Sequence, residues 1–156
     1  MEGTGGRPSA AFVAASWAAL LMGGTATLVG LWNAQMTWTE RGFYLSLLLY
    51  GLFAAISLQK SVRDRLEGIA VSNLYYGLCW VSLAAVLVLE TSGLVNAHLS
   101  LSEKGFYGMA YALSLFAVVA VQKNVRDLAA AERVENDLMV AGSPPPAWGS
   151  QTPRTA

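Results

Sequence analysis

From Ala10 to Trp32 the chain carries no charged residue. At 1.5 Å of rise per residue, a helix over that run crosses a hydrocarbon core of about 30 Å. Three comparable runs follow. Gly42 to Gln59 is uncharged and rich in Leu, Phe and Ala, near the lower length limit for a span, with aromatic residues to mark its end at the interface. Leu74 to Val95 is broken only by Glu90, and Gly105 to Gln122 is uncharged again. A helix in a soluble bundle shows a polar face at 3.6 spacing. Phe43 to Leu58 has only Ser and Tyr as polar residues and no charge on any face. Composition agrees: 13% of residues are charged, against about 25% in a soluble domain. These runs predict an all-α fold, an integral membrane four-helix bundle.

The chain also repeats itself. Shifted by 63 positions, Gly30-Leu31-Trp32-Asn33-Ala34 falls on Gly93-Leu94-Val95-Asn96-Ala97, and Glu40-Arg41-Gly42-Phe43-Tyr44 falls on Glu103-Lys104-Gly105-Phe106-Tyr107. In the same register Gln59-Lys60-Ser61-Val62-Arg63-Asp64 falls on Gln122-Lys123-Asn124-Val125-Arg126-Asp127, and Trp17 on Trp80. The bundle is therefore read as two repeated transmembrane helical hairpins, each consisting of helix, short loop, helix and basic stop. The predicted organisation is a disordered tail over 1–9, a first repeat over 10–65, a cytoplasmic linker over 66–73 and a second repeat over 74–128. A short cytoplasmic helix over 129–141 follows, then a disordered Pro-rich tail over 142–156, where three successive prolines cannot continue a helix. The first run is too long for the apolar core of a cleaved signal, its flank is barely basic, and it has a partner later in the chain.

Each copy crosses twice, so both enter from the same side, related by a pseudo-two-fold axis along the membrane normal. One side receives Arg7, Lys60, Arg63, Arg65, Lys123, Arg126, Arg133 and Arg154; the other receives Arg41 and Lys104. The positive-inside rule then puts both termini and the central linker in the cytoplasm.

The motifs give the candidate site residues. Lys60 and Asp64 are four apart, as are Lys123 and Asp127, the spacing of an ion pair on one helix face. With Gln59, Arg63, Gln122 and Arg126 they end the second helix of each copy. They read as a stop-transfer anchor or as a site for anionic lipid head groups or a partner. Glu40 and Glu103 suit a helix N-terminus, Arg41 and Lys104 follow them, and Gly42 and Gly105 allow a tight entry. Phe43-Tyr44 and Phe106-Tyr107 fit an aromatic belt at the outer interface. Asn33 and Asn96 are placed to close the loops with side-chain hydrogen bonds. Ala15, Ala19 and Gly23 recur every four residues, a spacing that lets helices approach closely, within the bundle or in a homo-oligomer. Glu90, whose mate is Thr27, is the one acid inside an apolar run. It is either an interfacial carboxylate, an internal hydrogen-bonding group, or an intramembrane site for a proton or cation.

The doubled pattern GLxNA, E[RK]GFY and QKxVRD resembles the YiaA/YiaB family of bacterial inner-membrane proteins, defined by a two-helix domain that is tandem in its longer members. The resemblance covers roughly Ala10 to Asp127. It implies location in the bacterial inner membrane and a conserved segment linking each helix pair, and it implies no established biochemical activity.

Chemistry finds no support in the residues. There is one cysteine, Cys79, and one histidine, His98. They suffice for neither a disulfide nor a four-ligand metal site, and read as a small apolar residue and an interfacial loop residue. No Ser-His-Asp set or phosphate-binding Gly loop appears, so no catalytic residue, metal or cofactor is expected. Zero net charge with scattered basic residues excludes a nucleic-acid face. The expected function is a non-enzymatic structural, stress-associated or accessory role in the lipid bilayer. The alternative is a small oligomeric transporter or channel using Glu90 and the polar residues Thr25, Thr27, Asn33 and Asn96 near the outer face.

Overall fold

The computed structural model describes residues 7–142. Among them the chain forms four helices: α1 (Ala10–Asn33), α2 (Trp38–Leu66), α3 (Asn73–Asn96) and α4 (Leu101–Gly142). All four are long and apolar enough to cross a membrane. Residues 1–6 and 143–156, with most of both expected tails and Arg154, lie outside the described residues.

The helix starts repeat as the sequence does. Ser9 and Ser72, equivalent positions, each accept from a backbone N–H three residues on, at Phe12 and Tyr75, both at 3.2 Å. Thr37 and Ser100 open α2 and α4 through reciprocal bonds with Glu40 and Glu103. In each pair the hydroxyl accepts from the glutamate N–H while the carboxylate accepts from the backbone N–H of the capping residue.

The two copies end differently. α2 closes with Gly68 at φ 75°, where Ile69 N–H donates to the Asp64 carbonyl and Gly68 N–H to that of Arg65. A left-handed glycine with these two bonds is a strong helix stop. The equivalent position in the second copy is Ala131, within Leu128-Ala129-Ala130-Ala131, a run of good helix formers. α4 therefore continues unbroken to Gly142, so the short helix expected over 129–141 is the end of α4. The basic motif, expected to end each second helix, lies within the helix in both copies.

The packing exchanges partners. The heaviest contacts join α1 to α4 and α2 to α3, α2 and α4 meet across the middle, and the helices of one hairpin barely touch. α1 and α4 run antiparallel: Gly23 faces Ser114 and Ala110, Gly30 faces Tyr107, and Asn124 Nδ2 donates to Ser16 Oγ at 3.0 Å. At the place equivalent to Gly30 in the other pair, Gly93 faces Phe43 and Tyr44, and nearer the linker Arg65 donates to Asn73 Oδ1. Both copies thus cross in the same direction. At one end Arg7 lies near Glu135 and Arg126 near Glu67; the hairpin loops occupy the other.

Close approach needs small residues. A Cβ on Gly23 would come within 2.6 Å of Ser114 Oγ and 3.0 Å of the Ala110 carbonyl. The buried line on α1 is Ser16, Gly23, Thr27 and Leu31. Ala15 is exposed, so the expected small-residue face is rotated toward Ser16, which Asn124 engages. The interior also holds Ser61, Ser114 and Asp64, while Leu21, Met22, Phe53, Val88 and Phe116 are exposed. Polar interior and apolar exterior suit a bundle whose outer face meets lipid. Trp17 and Trp80 are both about half exposed, at equivalent places on that face.

Candidate functional site

At the loop end, the E[RK]GFY motif serves helix termini. Glu40 and Glu103 complete the caps just described. Arg41 Nη2 donates to the Ala34 carbonyl at 3.1 Å, its guanidinium 5.3 Å from the Trp38 ring centre. Lys104 Nζ donates to the Val95 carbonyl at 2.7 Å. Each cation therefore sits on the carbonyl end of the preceding helix, where the macrodipole favours it. Asn33 and Asn96 donate back to Val29 and Ser92 carbonyls at 2.9 and 2.7 Å. They finish the last turns of α1 and α3 and do not close the loops. A Cβ on Gly42 or Gly105 would meet nothing, so lack of space does not demand those glycines. The aromatic pairs are edge-on, with ring centres 5.3 and 5.6 Å apart. Phe43 and Phe106 are exposed, whereas Tyr44 and Tyr107 turn inward and are half-buried.

At the opposite end, the basic motifs of both copies come together. Asp64 is buried and accepts from Lys60 Nζ and from Arg63 Nη2, the latter at 2.8 Å. In the second copy Arg126 Nη2 donates to Asp127 at 2.8 Å, with Lys123 Nζ 3.8 Å away. Glu67 joins the copies, 3.6 Å from Arg63 and 3.4 Å from Arg126. Gln59 and Gln122 each bury Oε1 with no hydrogen-bond partner among the described residues. Half of each lysine side chain remains exposed.

Glu90 lies between these ends and belongs to neither motif. It is 8% exposed, so its carboxyl group is buried within the bundle. It makes no hydrogen bond or ion pair among the described residues, and its Oε2 is buried without a partner. Two voids meet at it. One is a cavity of about 10 Å³ lined by Thr27, Leu31, Met36, Tyr44, Glu90, Leu94, Leu99, Tyr107 and Tyr111, room for about one water. Eight of these nine are repeat equivalents in four pairs, Thr27/Glu90, Leu31/Leu94, Met36/Leu99 and Tyr44/Tyr107, so the cavity lies on the pseudo-two-fold axis. Tyr111 is the ninth. Its hydroxyl donates to the Leu47 carbonyl at 3.2 Å, and Leu48 stands at its equivalent position.

The other void is a groove of about 610 Å³ between α3 and α4, with Leu87, Leu94, Val95, Leu101, Ala112 and Leu115 among its lining and Glu90, Thr91, Lys104 and Tyr111 as its polar groups. The sequence singles out Glu90 and reads Tyr44 and Tyr107 as part of an outer aromatic belt; Tyr111 and the groove were missed. The inward tyrosines had a signal in the repeated FY dipeptide, since adjacent helix residues point in different directions. Among the described residues no group of three His, Cys, Asp or Glu is placed to hold a metal. Cys79 is buried and His98 is exposed in its loop.

The model of the yiaA/B two-helix domain matches the chain twice, over residues 12–64 and 75–127. The chain is 52% identical over 119 residues to the inner membrane protein YiaA of Escherichia coli (strain K12), covering 76% of this chain and 82% of that protein. No solved structure matches the chain.

Proposed function

The chain belongs to the yiaA/B two-helix family, and from that premise we propose that it acts in the bacterial inner membrane as a non-enzymatic structural or accessory component. The observation that carries this reading is the exchange of partners between the copies. Each hairpin is completed by the other, which makes the tandem a single packed unit, suited to holding shape or bracing other membrane components. The basic residues at one end support an orientation with both termini in the cytoplasm. The half-exposed Lys60 and Lys123 favour contact with anionic head groups at that level.

A transport role is the second reading, favoured by the buried, unpartnered Glu90. Complementation of a deletion strain under envelope stress separates the two. On the structural reading, Glu90→Gln restores growth as well as the natural chain, whereas Gly23→Leu, which wedges α1 from α4, does not. Restoration by Gly23→Leu at normal protein levels, or failure of Glu90→Gln, contradicts it.

A further inference from the structure

Along the α3–α4 groove the second hairpin differs from the first in both directions: Leu87, Glu90 and Tyr111 are larger than their mates Gly24, Thr27 and Leu48, while others are smaller. Val95, Leu101, Gly108 and Ala112 stand where the first hairpin has Trp32, Trp38, Leu45 and Leu49. Smaller side chains leave this space open, and its volume of about 610 Å³ falls within the range of small-molecule sites. The two residues that break the symmetry of the axial cavity, Glu90 and Tyr111, also line this groove. Among the described residues Glu90 is the only acidic side chain lining the groove, and it makes no hydrogen bond or ion pair with them. Lys104 is tied to the Val95 carbonyl at the loop end of the groove. A carboxylate in an apolar site is costly unless a cation meets it, and the axial cavity holds no more than about one water.

We propose that the α3–α4 groove binds a hydrophobic organic cation, with its charge at Glu90 and its apolar body against Leu87, Leu94, Leu115 and the Tyr111 ring. Charge complementarity and the apolar walls define the class, a lipophilic amine or onium ion. The proposal goes beyond the structural reading and supplies a ligand class for the transport reading. Binding does not require transport, so failure here leaves the complementation result standing.

The test measures binding of tetraphenylphosphonium to the full chain in phosphatidylcholine nanodiscs, with tetraphenylborate as the probe of like shape and opposite charge. Saturable binding of the cation is expected. Glu90→Gln should weaken it at least about tenfold, and leave tetraphenylborate unchanged. Ala112→Leu restores the size found at Leu49; its position is exposed in the natural bundle, so the fold survives while cation binding falls. An equal cation signal in the natural chain and Glu90→Gln, or no binding above empty nanodiscs, overturns the proposal. Full binding by Ala112→Leu places the cation outside the groove and overturns it as well.

Discussion

Gly23 and Gly24 are neighbours on α1 and differ entirely in what surrounds them. A Cβ on Gly23 meets Ser114 and Ala110, whereas one on Gly24 meets nothing within 4 Å. Overpacking a close helix contact costs about 1–3 kcal/mol. A solvent- or lipid-facing change away from such contacts stays within about 0.5 kcal/mol. Thermal unfolding in detergent should therefore show Gly23→Leu clearly destabilised and Gly24→Leu close to the natural chain; equal effects would remove the contact's importance. The polar anchor at the same interface is weaker. Losing the Asn124–Ser16 bond through Asn124→Ala should cost about 1 kcal/mol, since hydrogen bonds between membrane helices average about 0.6 and a small void is added. An unchanged midpoint would show that the bond contributes nothing.

At the scale of the element, the helix ends explain what the two copies share and where they part. Thr37 and Ser100 hold equivalent caps, so Thr37→Ala and Ser100→Ala should each lower stability by about 1 kcal/mol, read in the same unfolding assay. A large effect in one copy alone would break the equivalence. Gly68 has φ 75°, a conformation that costs an L-residue about 1–2 kcal/mol. Gly68→Ala should destabilise by about 1 kcal/mol, and an unaffected midpoint would show that the turn is not needed. Part of this was legible in sequence: Glu40 and Glu103 read as helix N-terminal residues. Their capping partners Thr37 and Ser100 went unread, as did the stop at Gly68 against continuation at Ala131, because the basic motif was expected to end both copies. The four spans followed from charge-free length alone. The FY dipeptide signals that Phe43 and Tyr44 point apart, but which of them turns inward, and the Ser16 rather than Ala15 line on α1, were not legible. Nearly all-apolar helices carry no polar face to tell which side is inward; only the partner helix decides.

For the whole molecule, the repeat predicts two like units running in the same direction, and the structure has them. Which helix each unit packs against is set by contacts far apart in sequence, such as Ser16 with Asn124, and no local pattern encodes it. The basic motifs meet at Glu67 because the end of α2 lies beside the Arg126 turn of α4, well before that helix ends. On the proposed orientation, neutralising Lys60, Arg63, Lys123 and Arg126 together should weaken anchoring and raise the fraction of chains with a periplasmic C-terminus, measured by reporter fusion. A mutant that inserts normally, keeps its topology and still prefers anionic vesicles would refute both the anchoring and the lipid roles. The partner exchange itself is open to direct test by paired cysteines in a Cys79→Ser background. Ser16→Cys with Asn124→Cys joins α1 to α4, whereas Ser16→Cys with Ser61→Cys joins α1 to α2 within one hairpin. After cleavage in the 66–73 linker, oxidation should hold the two halves together for the first pair and leave them separate for the second. Cross-linking within the hairpin, with none between α1 and α4, would contradict the exchanged bundle.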